Sequence, residues 1–67
     1  MEKNAKYLQI WKHLADKYDA ESSSVEEILN EKSLHTILTR YFSHLSETEK
    51  QHLTNELHEM EEKLGLN

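Results

Sequence analysis

Sixty-seven residues make one small domain, and a chain of that size hides only about 60% of the surface its unfolded form exposes. With no Cys, disulfides and thiolate metal sites are excluded, and a formal net charge of −5 opposes general nucleic-acid binding, in which neutralised phosphates supply most of the affinity. No Pro, one Gly, and only one Val, three Ile and four Thr leave an all-α chain as the expectation.

A first helix is predicted over about residues 2–18. Tyr7, Trp11, Leu14 and Tyr18 recur at spacings of four, three and four, and Leu8, Ile10 and Ala15 widen the stripe. Glu2 at the positive end and Lys17 near the negative end agree with the helix dipole. The segment DAESSS (19–24) reads as a loop that ends in two overlapping capping boxes, Ser23 with Glu26 and Ser24 with Glu27.

A second helix then starts near Val25. Val25, Ile28 and Leu29 share one face, while Leu34, Ile37, Leu38, Tyr41, Phe42 and Leu45 share another. At about 100° per residue these faces are almost opposite on a continuous helix. A break at NEKS (30–33) lets both point into one core, with Ser33 capping the new start. The expectation is therefore two helices, about 24–31 and 33–45.

HLSETEKQHL (44–53) turns the corner, with Ser46 and Glu49 in capping-box register. The last helix, about 47–64, carries Leu53, Leu57, Met60 and Leu64 at four, three and four, the narrow seam of helix-on-helix pairing. Gly65 is a left-handed stop, and Leu66 beyond it is placed to fold back onto Met60. No internal repeat or linker is present. The fold class expected is a small antiparallel bundle of three to four helices, with homodimerisation as one way to complete it.

Charge is uneven along the chain. Lys3, Lys6, Lys12 and Lys17 outweigh Glu2 and Asp16 in the first helix, whereas Glu47, Glu49, Glu56, Glu59, Glu61 and Glu62 outweigh Lys50 and Lys63 in the last. Packing of the basic helix on the acidic one would relieve the glutamates crowded at the final C-terminus.

Candidate chemistry is thin. Five histidines (13, 35, 44, 52 and 58) invite a metal reading, and Glu49-x-x-His52 has the spacing of di-iron bundles. Those bundles need two such motifs and further inward glutamates, so the histidines read as solvated. No zinc-protease His-Glu-x-x-His pattern occurs, because position 62 is Glu. Asp16 and Glu27 fit the ends of a calcium loop, but Tyr18, Ala20 and Glu21 occupy positions that need oxygen ligands and Gly. No Gly-x-Ser-x-Gly elbow supports nucleophilic catalysis. His44 is the candidate for phosphoryl transfer, without residues around it that favour that chemistry. A helix-turn-helix would put the acidic last helix against phosphates.

The functional expectation is a non-enzymatic regulatory or adaptor protein without a cofactor, acting through helix-mediated protein–protein interaction. Its surface is expected at Leu53, Leu57, Met60 and Leu64, pairing with another protein or with its own copy as a homodimer, and Trp11 is the aromatic anchor if one faces a partner. The alternatives are a nucleic-acid-associated regulator using the basic first helix, and a histidine-based metal or phosphoryl-transfer protein. Apolar runs of no more than two residues exclude a membrane span and a signal-peptide core, so the chain reads as cytoplasmic.

Overall fold

The computed structural model describes residues 2–66, without the side chains of Glu2, Lys3 and Ser22; the dipole role expected for Glu2 therefore lies outside the described residues. Four helices follow one another: α1 (Glu2–Lys17), α2 (Val25–Asn30), α3 (Leu34–Tyr41) and α4 (Glu47–Lys63), with a 3-10 turn at Ser22–Ser24 leading into α2. There are no strands among the described residues, and no helix is long and apolar enough to cross a membrane. The long helices α1 and α4 run antiparallel, since Lys6 meets Leu64, Tyr7 meets Glu61, and Lys17 meets Glu56.

Each long helix ends on a residue in the left-handed region. Asp19 has φ 59°, and the Ala20 N–H reaches back to the Ala15 carbonyl at 2.8 Å. Gly65 has φ 72°, and Leu66 and Gly65 donate to Glu61 and Glu62 at 2.8 and 3.1 Å, a complete Schellman motif. Leu66 thereby packs half-buried against the core.

The expected capping boxes before α2 do not form. The chain enters from the 3-10 turn, so Ser24 already has helical backbone angles (φ −86°, ψ −5°) and its side chain makes no cap bond. An N-cap needs extended backbone for its oxygen to turn back on the first free N–H groups. Ser46 has it (ψ 167°): Glu49 N–H donates to Ser46 Oγ at 3.2 Å, and Ser46 N–H donates to Glu49 Oε1 at 3.0 Å. The Ser46 N–H chiefly, with the Ser46 hydroxyl, holds the Glu49 carboxyl below the usual glutamate range.

The chain leaves the helix at Glu31 (ψ 139°) and re-enters at Leu34, with Ser33 Oγ accepting from Thr36 N–H at 3.4 Å. The break lets Val25 and Ile28 from α2 share one core with Ile37 from α3. Ties across it are polar: Arg40 to Glu31 at 2.8 Å and Tyr41 O–H to Glu27 at 3.3 Å.

α3 stops at Tyr41, four residues short of the expected end. Phe42 turns (φ −126°) and is completely buried, its ring 6.1 Å from that of Trp11, and Leu45 N–H donates to the Phe42 carbonyl at 3.0 Å to close a turn after the helix. His44 Nε2 then lies 2.7 Å from the Tyr18 carbonyl, meeting an acceptor left free at the end of α1. With a carbonyl as acceptor, that ring nitrogen is the donor.

Ile10, Trp11, Leu14, Ala15, Val25, Ile28, Ile37, Phe42, Leu45, Leu53 and Leu57 form one core, with no buried polar or charged residue among the described ones. Each of the larger side chains contributes roughly 1.5–3 kcal/mol when fully buried.

Candidate functional site

The apolar seam of α4 is covered by its own chain. Leu53 is fully buried and Leu57 and Trp11 are 6% and 4% exposed, while Met60 and Leu64 are half-buried against the same core. Of the residues expected at a partner surface, then, Leu53 offers nothing to the outside, and Trp11 and Leu57 offer only edges. The accessible surface, 4758 Å², is close to the ~4,450 Å² of a compact monomer of this mass.

Charge seals the α1–α4 seam. Glu56 accepts from Lys17 Nζ at 2.7 Å, pairs with His13 Nε2 at 2.8 Å, and accepts a longer bond from Tyr18 O–H at 3.4 Å. Lys17 chiefly, with His13, holds the Glu56 carboxyl below its ordinary range, and the same bond raises Lys17. One end of the seam is closed by Tyr7 O–H donating to Glu61 and by Lys6 Nζ donating to the Leu64 carbonyl at 2.9 Å. The Glu61 carboxylate, with some burial, pushes the Tyr7 phenol up to about 12. The basic first helix thus spends Lys6 and Lys17 on bonds to the last helix and its C-terminal cap.

Outside that seam runs a polar trough lined by His13, Lys17, His52, Glu56, Glu59 and Lys63, where acids and bases face each other. Among the described residues no three His, Asp or Glu side chains converge as metal ligands. All five histidines are exposed, and His13 and His44 also have the structural partners described above.

The other side of α1 is different. α1 and α4 have 16 and 17 residues, about 24 and 26 Å at 1.5 Å per residue, whereas α2 and α3 have six and eight, about 9 and 12 Å. Two short helices with a kinked link cannot cover the long pair along its full length. The uncovered part is a groove of about 650 Å³. Tyr7 and Trp11 of α1, Ile28 and Leu29 of α2, Leu34 and Ile37 of α3 and Leu57 of α4 line it, of which Trp11, Ile28, Ile37 and Leu57 are buried. Leu29, Leu34 and Tyr7 are half-buried, so their apolar surface reaches water here. Glu31 and Lys32 stand at the link, Glu31 held by Arg40.

Sequence reasoning named Trp11 and Leu57 but not the groove they border. The signal available was the length mismatch between the helices, which a break at residues 30–33 already implies. No protein-family model matches the chain, and no curated protein or solved structure is significantly similar to it.

Proposed function

We propose that this is a non-enzymatic regulatory or adaptor protein that takes a helix of another protein into the groove between α1, α2 and α3. The supporting observation is the groove itself: a concavity of about 650 Å³ lined mainly by apolar side chains, whereas the trough of about 670 Å³ along the α1–α4 seam is lined mainly by charged and polar ones. A helix laid into such a groove anchors through apolar residues one turn apart. The occupant in this reading is a helix of another protein, because the apolar stripes of α1 and α4 are packed within the chain and leave neither long helix free to enter the groove of a second copy.

A photo-crosslinking residue placed at Leu29 or Leu34 tests this. In extracts of the source cell, these positions should give a discrete protein adduct, abolished at Leu29 by Leu34→Glu and at Leu34 by Leu29→Glu, while the exposed His35 position gives none. Equal labelling from the groove and from His35 would remove the groove from consideration as the functional surface.

A further inference from the structure

The polar side chains that line the groove have their acceptor engaged and two donors unused. The Glu31 carboxylate is held by Arg40 at 2.8 Å, and the Tyr7 O–H donates to Glu61. The exposed Lys32 ammonium has no partner among the described residues. Trp11 makes no side-chain hydrogen bond among them either, although it is only 4% exposed. No buried side-chain nitrogen or oxygen is left without a partner there, so the sliver of Trp11 that water still reaches includes its indole N–H. Trp11 lines the groove, and an indole nitrogen can only donate. Asn4, also exposed in the lining, can serve either role.

An occupant that covers these two donors must answer them, because a donor shut off from water without an acceptor weakens binding. A helix uses its own backbone carbonyls internally except in its last turn, so what it offers sideways into a groove is side-chain oxygen. We infer, on the reading of the groove as the site of a partner helix, that this helix carries carboxylates beside its apolar anchors. One faces Lys32, and a side-chain oxygen of the same helix accepts the Trp11 N–H. Lys or Arg in those places would bring only donors and would set like charge against Lys32. The net charge of −5 opposes an acidic partner at long range. At about 0.15 M salt that field is screened beyond about 8 Å, which leaves the choice to the groups in contact.

Three synthetic peptides of about four helical turns test this at that salt concentration. They share a Leu-rich apolar face, contain no tryptophan, and differ only in flanks of Glu, Gln or Lys. Trp11 is the only tryptophan of the chain, so its emission reports occupancy. The Glu peptide should bind about three- to fivefold more tightly than its Gln twin, and more tightly still than its Lys twin. Lys32→Gln, at an exposed position outside the core, should bring the Glu and Gln peptides to equal affinity. The Trp11 indole N–H proton resonance should move downfield as the Glu peptide saturates the protein. A Gln or Lys peptide that binds as tightly as the Glu peptide would overturn the carboxylate requirement and leave the groove reading standing. A preference that survives Lys32→Gln would overturn the pairing with Lys32, and an indole resonance that stays in place would overturn the contact with Trp11. Binding by none of the three would overturn both readings.

Discussion

The two sides of α1 handle the same problem in opposite ways. Toward α4, its apolar residues are covered and the rim is stitched by Lys6, Tyr7, His13, Lys17 and Tyr18 to groups on α4. Toward α2 and α3, the rim carries few bonds and the apolar surface of Tyr7, Leu29 and Leu34 stays in reach of water. A terminal helix with a narrow apolar seam looks like an interface, yet here a basic first helix covers it. The lesson is that charge asymmetry between two helices of one chain is a better guide to whether a seam is closed internally than the width of the seam.

The largest expected effect separates core from groove lip. Leu53→Ala removes a fully buried side chain from the closed seam and should cost about 2–5 kcal/mol, a large share of what a domain of this size possesses. Leu34→Ala, on the half-buried groove lip, should cost about 1 kcal/mol or less by the smaller area involved. Urea midpoints at constant m value measure both, and equal losses would erase the distinction between the two sides.

Next comes the backbone stop of α4. Gly65 has φ 72° and open space around the position of a Cβ, so Gly65→Ala meets strain alone and should lower stability by about 1–2 kcal/mol. The converse, Asp19→Gly at φ 59°, should leave stability unchanged or raise it by up to about 1 kcal/mol.

The polar rim gives pH-dependent effects of smaller size. The folded-state pKa of Glu56 is depressed, so its contribution is present above the ordinary glutamate value and is lost as the pH falls through the folded value. Glu56→Gln should lower stability by about 1 kcal/mol at neutral pH, and the gap from the parent should close in acid. Tyr7 behaves in the opposite sense. Its pKa is raised from 10.0 to about 12, so the folded state holds its proton longer, and the contribution is present below pH 10 and lost as pH rises toward 12. Tyr7→Phe should remove this alkaline component from the stability profile. A parent and variant that fall in parallel between those pH values would show that the Tyr7–Glu61 bond does not persist in solution.

Much of the architecture was legible because its signals are local. The stripe of α1, the Ser46–Glu49 box and the Gly65 stop each lie within a few residues of the structure they specify. The opposed faces of Ile28 and Ile37 made the break between α2 and α3 legible too. What escaped was decided at a distance. Ser24 lost its cap to the preceding 3-10 turn, and where α3 ends early Phe42 packs on Trp11 of α1 and His44 meets the Tyr18 carbonyl just beyond that helix. For the candidate site, the sequence marked the right apolar residues on α4 but not which side of them faced water, because Leu53 and Leu57 carry no mark of the helix that covers them. The groove is a property of four helix lengths together, and its lining residues Leu29 and Leu34 look like any amphipathic positions.

The central claim is that the α4 seam is closed within the chain while the groove is open. The chain has no native cysteine, so single introduced thiols report their own surroundings. The measurement is the rate of thiol labelling in Leu53→Cys and Leu29→Cys variants under native conditions. The account predicts that the groove thiol reacts at close to its rate in denaturant, and that the seam thiol is slowed by at least about a hundredfold, since it reacts only through opening of the core. Comparable fast labelling at both positions would show an exposed seam and contradict the account.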